Sequence, residues 1–342
     1  MCSSGAKTVL IKAKRSTVTD LLTMLAYYET TTHLHELSGS EKEKRVLSYI
    51  VLGHPFDAPE PPKQAIVYHH GWPSCRYEAL PLHDAALRRK WRVIAVDRYG
   101  VGKSTLNPQG SFEAWAADIK HLLDTLRIQR AVMLGMSGGG PYACACARYL
   151  PTRTAALVTV AGMLATNDPA HADLLQQMHW MDKLHSYVIS NRLAHSLVLL
   201  LSLPVMALQA AAGNQQTGVQ GCDGGGLGGA RSAADAAAAA VTWQLLPELM
   251  LQSVAQGMAG LGWDMKLTSS TWSFDPKDIA APVVLVCHGN DDVSLPASMA
   301  RRLAEQIPGA QLHLYAGEGH LSLLFRQAEH IMASLEAALQ QQ

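Results

Sequence analysis

Three side chains in this sequence have the types and the chain order that nucleophilic hydrolysis requires. Ser137 lies at the centre of a Gly-x-Ser-x-Gly pattern at residues 135–139, and Asp292 and His320 follow it along the chain. A serine hydroxyl is a poor nucleophile until a base removes its proton, and that base is usually a histidine oriented by a carboxylate. The sequence therefore predicts Ser137 as the nucleophile, His320 as the base and Asp292 as the orienting acid.

The acid in this set has an alternative. Asp291 directly precedes Asp292, and both follow the same apolar run. A glycine three residues before Asp292 (Gly289) and a proline four residues after it (Pro296) give a spacing that favours Asp292. Asp291 stays open as the second candidate.

A strand, a sharp turn and a helix must position the serine. Residues 131–134 are apolar and predict a strand, whereas residues 141–150 are rich in alanine and predict a helix. The turn between them needs a strained backbone, and its glycines remove the Cβ atoms that would clash there. Because strand, turn and helix follow in this order, the short pattern indicates an exposed nucleophile rather than a chance match.

The transition state also needs hydrogen-bond donors for the charge that develops on the carbonyl oxygen. The backbone N–H of Gly138, directly after the nucleophile, is the first candidate. The second should come from residues 70–73, His-Gly-Trp-Pro, after the third predicted strand. Pro73 has no N–H, so we predict Trp72 and Gly138 as the oxyanion hole.

Short apolar strands alternate with helices over most of the chain. This alternation is typical of a parallel sheet covered by helices on both faces, and Asp292 and His320 each lie just past a predicted strand. The predicted strands are 33–37, 46–52, 65–69, 93–96, 131–134, 155–160, 283–287 and 311–315. The predicted helices are 78–90, 111–126, 141–150, 297–307 and 321–339.

The alternation of predicted strands and helices divides the chain into a core and an insertion. Residues 31–163 and 271–342 show this alternation and are predicted to form the core. Residues 164–270 lack it and are predicted to form a helical cap, with a low-complexity Ala/Gly tract at 211–240 to which the sequence assigns no function. Residues 1–30 are predicted to be a disordered extension.

Charge and motif spacing exclude several other classes. Lys+Arg and Asp+Glu both number 28, and this zero net charge argues against a nucleic-acid or anionic-membrane partner. Residues 102–105, Gly-Lys-Ser-Thr, resemble the end of a phosphate-binding loop, but Asp97 stands where the first glycine should be. His69 and His70 would point to opposite faces of a strand end and make a poor chelate. We predict neither a metal nor a cofactor.

Residues 193–212 are almost wholly apolar. Because His195, Ser202, Pro204 and Gln209 interrupt them, we predict a buried or lid helix and no membrane span. The six cysteines have no disulfide or zinc spacing, which predicts reduced thiols in an intracellular protein. The cytoplasm is the first expectation; an organelle is the alternative, because residues 1–19 are basic and contain no acid.

Together these motifs resemble the α/β-hydrolase fold superfamily, in the branch with a helical cap after the sixth strand. The resemblance implies a mostly parallel eight-stranded sheet and ester or related acyl hydrolysis without a cofactor. Epoxide hydrolases and haloalkane dehalogenases of this fold have aspartate at the turn, where this chain has Ser137. The motifs that carry the resemblance are residues 70–73, 97–104, 135–141, 288–296 and 317–320.

The leading prediction is a serine hydrolase that cleaves an ester, thioester or amide through an acyl-enzyme. Trp180, Trp243 and Trp263 in the predicted cap favour a small to medium, apolar substrate. Two alternatives stay open. One is acyl transfer or C–C bond hydrolysis with the same three residues, and the other is a slow receptor for a small ligand on this fold. The sequence predicts no oligomeric state.

Overall fold

One sheet organises the computed structural model of the protein, which describes residues 18–37, 44–178, 235, 245 and 248–342. Within these residues the sheet has eight strands, namely β1 (His33–Leu37), β2 (Arg45–Gly53), β3 (Gln64–His69), β4 (Trp91–Val96), β5 (Ala131–Met136), β6 (Thr154–Val160), β7 (Val284–Gly289) and β8 (Ala310–Tyr315). Their spatial order is β1-β2-β4-β3-β5-β6-β7-β8. The β1–β2 and β2–β4 pairs are antiparallel and all other pairs are parallel. The predicted mostly parallel, eight-stranded sheet is confirmed.

Helices cover both faces of this sheet, as predicted. They are α1 (Val18–Thr30), α2 (His83–Arg89), α3 (Phe112–Thr125), α4 (Gly140–Tyr149), α5 (Ala172–Gln177), α6 (Ala259–Ser269), α7 (Ala297–Gln306) and α8 (Ser322–Gln340). One apolar cluster joins α1, α2 and α8 to the sheet, and a second joins α3, α4 and α7 to the opposite face. Every residue of β4, β5, β6 and β7 is therefore buried, which explains why these strands are continuous apolar runs rather than alternating ones.

Helix α3 shows how the sequence produces these elements. Ser111 precedes the helix, and its hydroxyl accepts the N–H of Ala114 at 3.1 Å, which caps the first turn. Trp115, Ile119 and Leu122 recur at helical spacing and are fully buried against the sheet. Burial of one such side chain stabilises the fold by about 1.5–3 kcal/mol.

The prediction of disorder over residues 1–30 is wrong for residues 18–30, which form α1. Met24, Leu25 and Tyr28 lie on one face of this helix and are buried in the first apolar cluster. The Tyr28 hydroxyl lies 2.9 Å from His83 Nδ1, which also accepts the Gly53 N–H. The apolar spacing was visible in the sequence, but the basic and hydroxyl-rich residues before it pointed away from a helix. Residues 1–17 lie outside the described part.

Residues 164–270 follow β6, and the helical cap predicted there stays a prediction, because most of this range lies outside the described residues. The described parts of 164–270 contain α5, α6, a 3₁₀ turn at Pro169–His171 and a helical segment at 248–253, and no strand. The apolar stretch 193–212 and, apart from Asp235, the Ala/Gly tract are not described. Among the described helices, none has the length and apolarity needed to cross a membrane.

Candidate active site

Ser137 stands on the turn between β5 and α4. Its φ is +51°, in the left-handed region that a residue with a side chain adopts at a cost in energy. The turn is also crowded. A Cβ on Gly135 would overlap the carbonyl of Gly139, and a Cβ on Gly139 would overlap the carbonyl of His69. The motif therefore needs glycine at both positions for lack of space, as the sequence reasoning expected.

The structure brings Ser137, His320 and Asp292 together. His320 Nε2 lies 2.9 Å from Ser137 Oγ, and His320 Nδ1 lies 2.7 Å from Asp292 Oδ2. A carboxylate only accepts, so Nδ1 carries the proton and Nε2 is left to accept from the serine hydroxyl. This is the tautomer that a general base for serine needs. Asp291, the alternative acid, is exposed and donates its backbone N–H to Glu318 O at 2.9 Å.

Both carboxylate oxygens of Asp292 are hydrogen-bonded. Oδ1 accepts the backbone N–H groups of Ser294 and Leu295, each at 2.9 Å, and Oδ2 accepts from His320. Burial by itself raises the pKa of Asp292, but the two neighbouring histidines outweigh it, chiefly through the charge of His320, and hold the pKa well below its ordinary value. Asp292 is therefore an anion throughout the neutral range.

His288 completes the surroundings of Asp292, and the sequence analysis assigned it no role. It is fully buried at the end of β7, where Nε2 donates to the carbonyl of Leu295 at 2.8 Å and lies 3.3 Å from Asp292 Oδ2. Its position four residues before the acid was a usable signal, because residues 288–296 were recognised as one motif. His288 fixes the turn on which Asp292 stands.

The predicted oxyanion residues lie next to each other beside the serine. A Cβ built on Gly138 would lie 3.6 Å from Trp72 N, and one built on Gly71 would lie 3.3 Å from Ser137 Cβ. The loop after β3 thus approaches the turn after β5 closely. The Trp72 indole points elsewhere, because its Nε1 donates to Leu261 O at 3.0 Å in α6.

A buried ion pair holds the loop that bears Trp72. Arg98 donates to the carbonyls of His70 and Gly71, the latter at 3.1 Å, and pairs with Asp264 at 2.6 Å. From the other side, Glu78 Oε2 accepts the Gly71 N–H at 2.6 Å. Residue 98 lies in one of the motifs that carry the family resemblance, but neither its pairing with Asp264 nor the contact of Glu78 is visible in the sequence, because each partner is distant along the chain or lies in another element.

The excluded motifs have structural roles. His70 is fully buried, its Nδ1 donates to Gly71 O at 2.8 Å, and burial lowers its pKa well below the ordinary value. Ser104, in the stretch that resembles a phosphate-binding loop, is buried and donates to Asp97 O at 2.7 Å. Within the part of the chain that the structure describes, no group of three or more His, Cys, Asp or Glu side chains could hold a metal ion.

The four cysteines among the described residues are unpaired and buried: Cys75, Cys144, Cys146 and Cys287. Burial raises the pKa of Cys144 and of Cys287 to about 12. Since the thiolate is the reactive form, these thiols are not nucleophiles near neutral pH. None of these four cysteines is therefore an alternative to Ser137 as the nucleophile.

Comparison with known proteins identifies the family. The sequence profile described as "alpha/beta hydrolase fold" matches residues 64–327, which is most of the chain. The chain belongs to the alpha/beta hydrolase fold family. The matched range includes Trp72, Ser137, Asp292 and His320.

The chain is also similar to several individual proteins. It is 29% identical over 262 residues to a non-heme chloroperoxidase of Streptomyces lividans, covering 75% of this chain and 84% of that protein. It is 34% identical over 144 residues to a bifunctional esterase/perhydrolase of Acinetobacter calcoaceticus, covering 40% of this chain and 49% of that one. A thermophilic esterase from Thermogutta terrifontis superposes with a TM-score of 0.62 at 18% identity, over 90% of this chain and 98% of that chain. At 18% identity, the similarity to the Thermogutta terrifontis esterase shows a shared fold.

Proposed function

We propose that this α/β-hydrolase is a serine hydrolase that cleaves an ester, thioester or amide of a small to medium, apolar substrate through an acyl-enzyme. The observation that carries the proposal is the chain of two hydrogen bonds, 2.9 Å from Ser137 to His320 and 2.7 Å from His320 to Asp292. The serine that begins this chain stands on a strained turn, as a presented nucleophile does. Esterases among the similar proteins support the same reaction class.

In the proposed reaction each of these residues has a defined role. Ser137 Oγ attacks the carbonyl carbon while His320 Nε2 takes its proton, and the Asp292 carboxylate stabilises the imidazolium that forms. The N–H groups of Trp72 and Gly138 donate to the carbonyl oxygen as it becomes negative. His320 then protonates the leaving group, which departs and leaves the acyl group on Ser137. Water releases the acyl group by the same proton path in reverse.

Apolar side chains beside the serine support an apolar substrate. Met163 is buried, and its sulfur would lie 3.7 Å from a Cβ on Gly138. Trp72 is half-buried and packs against the first apolar cluster. A substrate carbonyl bound at Gly138 would therefore have the Met163 thioether and the Trp72 Cβ nearby, which favours small apolar acyl groups.

Turnover of p-nitrophenyl esters of graded acyl chain length tests this function. We expect release of p-nitrophenol and, after acid quench, an intact mass increased by the acyl group. The chain length with the highest kcat/KM then measures the size of the acyl pocket. A folded enzyme that hydrolyses none of the esters, matched thioesters or anilides would contradict the proposal and favour the receptor alternative.

Hydrogen peroxide is a second candidate, besides water, to take the acyl group from the acyl-enzyme. The names of the relatives support it, because they include a perhydrolase and a non-heme chloroperoxidase. Hydrogen peroxide in place of water would attack the acyl-enzyme, lose a proton to His320 and leave as a peracid, while Ser137 regains its proton. No electron transfer by the protein is needed. Peroxide-dependent oxidation of iodide by the product, present with an ester and absent without one, tests this acceptor.

A further inference from the structure

Asp235 is the one described residue of the low-complexity tract 211–240, and it is 4% exposed. Its carboxylate accepts three successive backbone N–H groups. Oδ2 accepts from His320 at 3.0 Å, and Oδ1 accepts from Leu321 at 2.9 Å and from Ser322 at 2.8 Å. A buried carboxylate from a tract of Ala and Gly is thus bonded to the segment that bears the histidine.

These N–H groups lie at the beginning of α8. The first N–H groups of a helix have no partner inside the helix, and a negative charge there is favourable because of the helix dipole. An ordinary cap is a near neighbour in sequence. Asp235 lies 85 positions before His320, so this cap is a tertiary contact between the inserted segment and the core.

The contact bears directly on the position of the imidazole. The His320 ring is held by Asp292 and Ser137, whereas its backbone N–H is held by Asp235. The chain immediately before it contains Gly317 and Gly319, and Gly317 has a φ of +73°. A segment with two glycines has little intrinsic stiffness, and external anchors therefore decide where the histidine stands.

We propose that Asp235 is a positioning residue that fixes the His320 backbone and keeps Nε2 within reach of Ser137. The inference rests on the proposed function, because it concerns the base of that reaction. It also gives Asp235, the one described residue of the tract, a role in catalysis. Displacement of Asp235 leaves three N–H groups of the histidine segment without their acceptor and lets the imidazole leave the serine.

The test compares Asp235→Ala and Asp235→Asn with the wild type, each also in a His320→Ala background. Asp275→Ala is the matched control, because the Asp275 carboxylate accepts the Lys277 N–H at 3.0 Å in a separate 3₁₀ turn. We expect Asp235→Ala to lower kcat by about 100-fold, the loss typical of a displacement of about 1 Å, with KM nearly unchanged. The asparagine variant should lose less, since its amide oxygen still accepts from Leu321 and Ser322.

The double variant separates positioning from general loss of structure. If Asp235 acts through His320, Asp235→Ala adds no further loss once His320 is alanine. A further loss of the same size in that background, or wild-type kcat for both Asp235 variants, overturns the inference. Wild-type turnover by His320→Ala alone would instead overturn the proposed function. Should Asp235→Ala not fold, Asp235→Asn gives the same comparison.

Discussion

Replacement of Asp292 by asparagine has an outcome that the structure determines in detail. The aspartate accepts three hydrogen bonds, two from backbone N–H groups on Oδ1 and one from the His320 ring on Oδ2, and the His288 ring lies 3.3 Å from Oδ2. An amide has one accepting oxygen and one donating NH₂ group. If its oxygen turned to His320, the NH₂ would face the two backbone N–H groups, and the buried one, of Leu295, would cost about 1–3 kcal/mol when unsatisfied.

The asparagine oxygen should therefore keep the two backbone donors, and its NH₂ should face His320 Nδ1. His320 Nδ1 must then accept, which moves the ring proton to Nε2. A protonated Nε2 cannot accept the Ser137 hydroxyl, whose separation of 2.9 Å stays unchanged. The wrong tautomer lowers kcat by about 10,000-fold in a serine protease with the same three residue types, which corresponds to about 5.4 kcal/mol of activation free energy.

We would measure kcat and KM of Asp292→Asn on a p-nitrophenyl ester, beside Asp291→Asn as the matched control. Asp291 is exposed and uses only its backbone in the described contacts. The expected result is the large loss for residue 292, a folded protein by circular dichroism, and wild-type kinetics for residue 291. A loss below about tenfold for Asp292→Asn, or a comparable loss for Asp291→Asn, would refute the tautomer argument.

Two further predictions concern stability. Asp264→Ala should lower the free energy of unfolding by about 3–5 kcal/mol, because it leaves the fully buried Arg98 without its anion. Asp278→Ala removes an exposed ion pair with Arg148 and should lower it by about 0–1 kcal/mol. Urea denaturation measures both, and equal losses would contradict the difference in burial. The lowered pKa of Asp292 predicts a contribution to stability that is complete above the ordinary aspartate pKa of about 3.9 and disappears as pH falls through the lower native pKa. The stability difference between wild type and Asp292→Asn should thus shrink as pH falls below about 4, and a difference that stays unchanged from about pH 4 to about pH 2 would disprove this.

Much of the core and three of the site residues could be predicted because their signals are local. An apolar strand, a glycine-bounded serine and an alanine-rich helix are adjacent in sequence, so the turn at Ser137 follows from short-range pattern. Asp292 was favoured over Asp291 by spacing alone, and the structure places Asp292 beside His320. The central strands are buried along their whole length, and their sequences are therefore recognisable as continuous apolar runs.

The residues that hold these elements in place could not be predicted, because no local sequence pattern indicates their contacts. Arg98 and Asp264 are 166 positions apart, and nothing in either neighbourhood shows that they pair. Asp235 is one of few charges in a tract that composition marks as featureless, and its partners lie beyond the next two strands. Local pattern predicts elements and reactive residues, whereas the contacts that orient them depend on how distant segments pack.

The central claim is that Ser137 is the nucleophile, and covalent labelling by a fluorophosphonate tests it most directly. Wild type, Ser137→Ala and the control Ser270→Ala would be treated in parallel, since the Ser270 hydroxyl is exposed and donates only to Lys266 O. The account predicts one adduct on wild type and on Ser270→Ala, located on the peptide that contains Ser137, and none on folded Ser137→Ala. Equal labelling of Ser137→Ala would contradict it.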